Sequence, residues 1–175
     1  MKIAVNRQVH LSEFRPADRC AIVALLNDRD IYDLTLRIPF PYTETDADAF
    51  LARVAKATEQ QGQSAHFAIR TGDDALIGGC GLNDLEVGKS HQAEVGYWLA
   101  KPLWGQGIMT AVVRRSCQYA FDEFGLAKII AHVFTGNPAS ARVLEKCGFL
   151  QEGLLRKHFL KDGKFIDAML FALLK

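Results

Sequence analysis

Paired cysteines, long hydrophobic runs, low-complexity stretches and an excess of charge of one sign are all missing from this chain of 175 residues. The four cysteines, Cys20, Cys80, Cys117 and Cys147, are widely spaced, with no C-x-x-C pair and no histidines at metal-ligand spacing. That argues against a disulfide framework and against a metal site. Their mostly apolar neighbours point to free, buried thiols in a reducing compartment. A formal net charge of +1, from 21 Lys and Arg against 20 Asp and Glu, gives no global attraction to nucleic acid or acidic membranes. The opening MKIAVNRQVHLSEFRP lacks the apolar core of about 7–15 residues that an export signal carries, and the longest apolar run near the end, residues 168–174, is far too short to span a bilayer. The expectation is a soluble, cytoplasmic protein with no nucleic-acid or membrane partner.

Familiar nucleotide loops are also absent. A Walker A loop needs G-x-x-x-x-G-K-[ST]; Gly88-Lys89-Ser90 comes closest, but Asn83 stands where its first glycine belongs. A dinucleotide fingerprint needs G-x-G-x-x-G, and Gly105-Gln106-Gly107 is followed by Thr110 in the third glycine position.

What is present is ordinary globular usage, 49% apolar and 23% charged, in a length suited to a single domain over residues 1–175. The stretch at residues 94–124 organises it. An alternating strand, with Val95, Tyr97 and Leu99 on one face and Glu94, Gly96 and Trp98 on the other, leads through a Pro/Gly-punctuated turn into a long amphipathic helix. The first four amides of a helix lack intrahelical partners and sit at the positive end of its dipole. Gly105 and Gly107 remove the side chains that would keep a phosphate away, so the loop is an anion site or, more simply, a tight strand-to-helix turn.

Around it, residues 9–15 alternate weakly as a first strand, and Pro16 and Asp18 open a helix carrying Ile22, Val23, Leu25 and Leu26. Residues 30–42 read as an irregular, aromatic, proline-stiffened loop of the kind that shapes a pocket. A second helix starts near Thr45 or Asp46 and ends at Gly62. Residues 66–70 and 76–85 form a hairpin, in which Gly78, Gly79 and Gly81 mark a bulge or a close backbone approach. Residues 126–133 read as a strand buried on both faces. A helix begins at Asn137-Pro138 and stops at Gly148, and two final strand runs meet at Asp162-Gly163. The pattern is an α/β (α+β) domain: a mixed sheet with helices on its faces.

Three separated pieces carry a resemblance: Glu94-Val95-Gly96-Tyr97-Trp98-Leu99 leading to Trp104-Gly105-Gln106-Gly107-Ile108-Met109-Thr110, then Asn137-Pro138-Ala139-Ser140, then Glu145-Lys146-Cys147-Gly148-Phe149. In this order and spacing they resemble the GNAT acyltransferase superfamily, and within it the ribosomal-protein N-terminal acetyltransferase branch. Pro39-Phe40-Pro41-Tyr42 and the Asp162-Gly163 hairpin look like that branch as well. The resemblance implies a mostly antiparallel sheet of about seven strands, splayed at its middle, with acetyl-coenzyme A as donor and a primary amine as acceptor. It implies that residues 105–110 (Gly105, Gln106, Gly107, Ile108, Met109, Thr110) hold the pyrophosphate. Trp98 and Leu99, at the splayed end of the strand, would bind the pantetheine and polarise the thioester carbonyl, and Asn137 would contact the cofactor arm. The branch is often dimeric, which admits a homodimer.

Two departures matter. The superfamily loop usually starts with Arg or Gln and has Gly or Ala at its sixth position, whereas this chain has Trp104 and Met109, a spelling found in the ribosomal-protein branch. Many members also carry a tyrosine, as general acid, seven residues after the asparagine; here that residue is Leu144, and Ser140 is the branch's usual substitute.

Glu94 is the expected base, against the alternative of a solvated strand-edge glutamate. Ser140 is expected to protonate the departing thiolate, against the alternative of a first-turn helix serine bonded to backbone. Asn137 has the alternative of a plain N-cap, though cofactor contact is the stronger reading; Trp98 and Trp104 are more often packing residues than ligand platforms, and Arg114 and Arg115 are phosphate contacts or just as well a solvated face. Six acids between Asp28 and Asp48, against Arg29 and Arg37, suggest an acidic lip for a cationic amine, or helix-start and solvated residues. The expected acceptor is a protein or peptide N-terminal α-amine; a small-molecule amine and a non-catalytic coenzyme A-binding module are the alternatives.

Overall fold

Tight turns set most of the pairing. At Asp162-Gly163 both residues take positive φ, 50° and 72°, the conformation a two-residue hairpin needs and one that Asp and Gly tolerate. Across residues 71–75 the Asp74 amide donates to the Thr71 carbonyl, and the Thr71 amide to the Ala75 carbonyl. In the computed structural model, which describes residues 1–175, these turns close hairpins in one eight-stranded sheet. Its strands are β1 (Lys2–Ala4), β2 (Val9–Ser12), β3 (His66–Thr71), β4 (Leu76–Asn83), β5 (Gln92–Leu99), β6 (Lys128–Phe134), β7 (Leu150–Lys161) and β8 (Lys164–Leu174). Their order across the sheet is β1-β2-β3-β4-β5-β6-β8-β7. Every neighbouring pair is antiparallel except β5 and β6.

Five helices cover the two faces. Helices α1 (Arg19–Leu26), α2 (Arg29–Leu34) and α3 (Glu44–Gln61) bury Ile22, Leu26, Ile31 and Ala47 against Ala68 and Leu76 of the sheet. Helix α4 (Ile108–Phe124) and helix α5 (Pro138–Lys146) contribute Val112, Val113, Ala120 and Leu144 to a larger core with Phe67, Ile69, Val95 and Ile129. Helix α3 starts in a capping box, with the Thr43 side chain accepting from the Asp46 amide and Asp46 from the Thr43 amide, and ends at Gly62 with φ 71°.

The structure departs from the sequence reading in several places. The sheet has eight strands instead of about seven because Lys2–Ala4 pairs with β2, a segment too short to show a period. Residues 30–34, read as part of an irregular loop, belong to α2: Asp28 accepts from the Asp30 and Ile31 amides, and Arg29 pairs with Asp33 at 2.9 Å. Cys80 and Cys117 are buried, but Cys20 is exposed and Cys147 half-buried. The β4 glycines answer to close approach. A Cβ on Gly78 would lie 2.5 Å from the Trp98 carbonyl oxygen, on Gly79 2.6 Å from the Trp98 indole nitrogen, and on Gly81 2.4 Å from the His66 ring. Trp98 is thereby seated across β4.

One buried ion pair ties the first strands to the start of α1. Arg70, 3% exposed, donates from Nη2 to Asp18 Oδ2 at 2.7 Å and from Nε to Ser12 Oγ at 2.7 Å; Asp18 is 6% exposed and also accepts from the Arg15 amide. Removing one member strands a buried charge. Asp18→Ala should therefore lower unfolding stability by about 3–5 kcal/mol in urea titration; a loss under about 1 kcal/mol would show that Arg70 finds other partners.

Candidate active site

Strands β5 and β6 hold each other for only three residue pairs, Gln92 with Lys128, Ala93 with Ile129 and Glu94 with Ile130. Beyond Glu94, β5 continues to Leu99 paired with β4 alone, and β6 continues to Phe134 paired with β8 alone. The separation leaves a cleft of about 730 Å³. Its walls include Glu94, Trp98, Leu99, Gly105, Gly107, Ile108, Met109, Thr110, Asn137 and Ser140. Of the catalytic and acetyl-coenzyme A-binding residues that the resemblance implied, only Gln106 is off the wall, its side chain turned to the Pro102 carbonyl at 3.1 Å; Arg114 and Arg115 do not line the cleft either.

At one end the cleft meets the start of α4. Gly105 and Gly107 have φ 75° and 77°, a left-handed conformation that makes glycine the natural choice there beyond any need for space. A Cβ on either would meet no protein atom within 4 Å. Gly107 is the N-cap of α4, and no side chain caps that end, so the helix amides are presented outward. Trp104 anchors the loop, its indole N–H donating to the Leu99 carbonyl at 2.7 Å. Arg114, considered for phosphate contact, instead donates to the Lys146 carbonyl at the end of α5, while Arg142 and Lys146 line the cleft. This uncapped, glycine-built cradle fits the diphosphate of a coenzyme A group.

Asn137 caps α5, its Oδ1 accepting from the Ser140 amide at 3.0 Å, and its amide nitrogen remains available on the cleft wall. One turn on, the Ser140 hydroxyl lies 2.8 Å from the hydroxyl of Tyr97. Leu144 is 0% exposed in the core, so the helix brings no phenol to the cleft. Burial raises the Tyr97 phenol well above its ordinary pKa and keeps it protonated.

Glu94 sits where the two strands part, with its side chain 17% exposed, and is not a solvated edge residue. Its Oε1 is 2.7 Å from His132 Nδ1, and its Oε2 is 3.6 Å from Arg37, which also reaches Asp84 at 4.0 Å. A carboxylate only accepts, so His132 donates from Nδ1. The His158 ring stacks on His132 at 4.9 Å, delivered by an irregularity in β7 where Lys157 takes φ 50° and its amide donates to Asp167. His132, Tyr97 and Arg37 are the functional candidates that motif reading missed. For His132 the available signal was a polar residue inside the apolar run of β6.

The acidic lip does not form. Asp28 caps α2, Asp46 caps α3, Asp30 pairs with Lys101, Asp33 with Arg29, and Glu44 and Asp48 with Arg19; none of the six lines the cleft.

Comparison with known proteins places this geometry in a family. Residues 8–150 match the model described as Acetyltransferase (GNAT) domain. The chain is 32% identical over 136 residues to the protein named uncharacterized N-acetyltransferase p20 of Bacillus licheniformis, a match covering 77% of this chain and 76% of that one. To the putative ribosomal N-acetyltransferase YdaF of Bacillus subtilis it is 38% identical over 103 residues, 59% of this chain and 56% of the relative. The structure of spermidine N-acetyltransferase from Vibrio cholerae, in complex with CoA and spermine, superposes with a TM-score of 0.79 at 26% identity, covering 97% of this chain and 96% of that one. The first four curated relatives are spanned over 56% to 76% of their own lengths. With a family match across most of its length, and a split sheet that opens beside an uncapped helix start, the chain belongs to the GNAT acetyltransferase family and is an acyltransferase.

Proposed function

We propose that this N-acetyltransferase moves an acetyl group from acetyl-coenzyme A to the α-amine at a protein or peptide N-terminus, by direct attack of the nitrogen. The observation that carries the choice of acceptor is the charge at the open end of the cleft. Glu94 is the single well-sheltered carboxylate, and Asp84 shares Arg37 with it. Apart from Arg142 and Lys146 on α5, beside the cradle at the start of α4, the walls carry Arg37 and Arg53 against these two acids, and Arg53 has no acidic partner. Such a lining suits a single amine followed by carbonyl groups and disfavours a chain of several cations.

Bound acetyl-coenzyme A supplies the thioester carbonyl that the amine attacks. The amides of Ile108, Met109 and Thr110, with Gly105 and Gly107 in left-handed conformation, hold its diphosphate. The free edge of β5 at Trp98 and Leu99 binds the pantetheine, with the outward N–H of Leu99 pointed at the thioester oxygen and that of Trp98 turned to β4, and the Asn137 amide donates to the arm. Glu94, oriented by His132, accepts the proton from nitrogen, and Ser140 donates one to the departing sulfur. An α-amine with pKa near 8 is about a tenth neutral at pH 7, against about one in 2,000 for a lysine-type amine, so one oriented carboxylate is base enough for the first.

Glu94→Gln should lower kcat by about 10²-fold or more while leaving the KM for acetyl-coenzyme A little changed. His132→Ala should cost less, because it removes orientation and not the proton acceptor. Unaltered turnover of Glu94→Gln across pH would remove Glu94 from the mechanism.

A second reading, a polyamine acceptor, draws on the likeness to spermidine N-acetyltransferase. Thiol release measured over a panel of N-terminal peptides, spermidine, amino acids and aminoglycosides separates the two. Peptides should give the highest kcat/KM; faster turnover of spermidine would reverse the assignment, and binding of acetyl-coenzyme A without turnover of any amine would favour a non-catalytic module.

A further inference from the structure

Loss of the phenol at position 144 leaves an aliphatic alcohol, Ser140, as proton donor, and an alcohol is a poor acid unless its developing charge is supported. The support comes from β5. The Tyr97 hydroxyl lies 2.8 Å from Ser140 Oγ and 3.3 Å from the Ser140 carbonyl oxygen, and both residues line the cleft. We propose that Tyr97 is a positioning residue that donates its O–H to Ser140 Oγ, turning the serine hydrogen into the cleft towards the leaving sulfur. This rests on Ser140 acting as the acid.

Geometry and acidity select that direction of donation. Of the two hydroxyls the phenol is the more acidic and hence the stronger donor, and the shorter contact is the one to Oγ. The Ser140 carbonyl, in the first turn of α5, accepts within the helix. With its oxygen engaged by Tyr97, Ser140 keeps its own hydrogen free. The opposite arrangement, Ser140 donating to Tyr97, would withdraw that hydrogen from the cleft. Burial keeps the phenol protonated, so it remains a donor throughout the assay range.

The amine nitrogen bonds to the carbonyl carbon, the C–S bond breaks, and its electron pair remains on sulfur. Sulfur takes the hydrogen of Ser140 Oγ as water returns a proton to that oxygen in the same step, so no free alkoxide forms, and the O–H of Tyr97 stabilises the oxygen through the transfer. The proton shed by nitrogen passes to Glu94 and on to solvent, so the products are the amide and the free thiol.

The test is a double-mutant cycle in the full chain, with thermal melting to show that all variants are folded. Tyr97→Phe removes one hydroxyl and keeps the ring in its core position. It should lower kcat about tenfold with the KM for acetyl-coenzyme A unchanged. In a Ser140→Ala background the same substitution should have no further effect on kcat. Equal losses in both backgrounds would make Tyr97 a structural residue only and overturn the proposal. A slow Ser140→Ala beside a full-rate Tyr97→Phe would overturn it while sparing Ser140. A full-rate Ser140→Ala would overturn the assignment of Ser140 as acid and this inference together.

Discussion

Everything at this site depends on two strands that pair for three residues and then let go. Hydrogen bonds at their far ends hold them apart: the Ala100 amide continues the β5–β4 pairing by donating to Ile77, and the Thr135 amide continues β6–β8 by donating to Asp167. Between these anchors, β5 and β6 each keep one edge without a strand partner. Unpaired backbone groups inside a protein are costly unless something meets them, so the opening is a demand for a ligand with amide-like groups of its own. A pantetheine arm has that character. The strand fork and the helix start are one device, because Trp104 ties the loop before α4 to the last carbonyl of β5.

The fork also separates two kinds of chemistry. Tyr97 points with Val95 and Leu99 towards the core beneath α4 and α5, where it meets Ser140. Glu94, on the alternate face, meets His132 from β6 and Arg37 from the segment after α2. Alternation along one strand therefore sends the Tyr97 hydroxyl and the Glu94 carboxylate to opposite faces beside the same opening. In the proposed reaction the hydroxyl pair would stand by the sulfur and the carboxylate by the nitrogen. A residue slip in β5 would exchange both at once, which is why its register against β4, fixed over six pairs from Gly78–Leu99 to Asn83–Glu94, matters to function as well as to packing.

Legibility in the sequence followed the range of the interaction. The Asp162-Gly163 hairpin, the capped start of α3 and the helix after Gly107 are local signals, and each lies where local rules put it. Helix α2 had its signal too, an Asp cap and an Arg29–Asp33 pair, but six residues are too few for a period to show. The acids of residues 28–48 were visible as a cluster, whereas their partners, Lys101 in particular, were far away in the chain. The same distance hid the best of the site. His132 lies 38 positions from Glu94, and Tyr97 lies 43 from Ser140. A histidine or tyrosine in an apolar strand reads as core until parallel pairing and the fork bring it to the cleft.

Residue 144 shows how packing bears on the choice of proton donor in the proposed mechanism. A side chain there faces the core beside Ala141 and Phe149, and leucine fills it without an unsatisfied hydroxyl. Removing a phenol from the helix gains packing and gives up an acid. The structure offers a phenol from the neighbouring strand instead, too buried to ionise readily yet in contact with a serine that reaches the cleft.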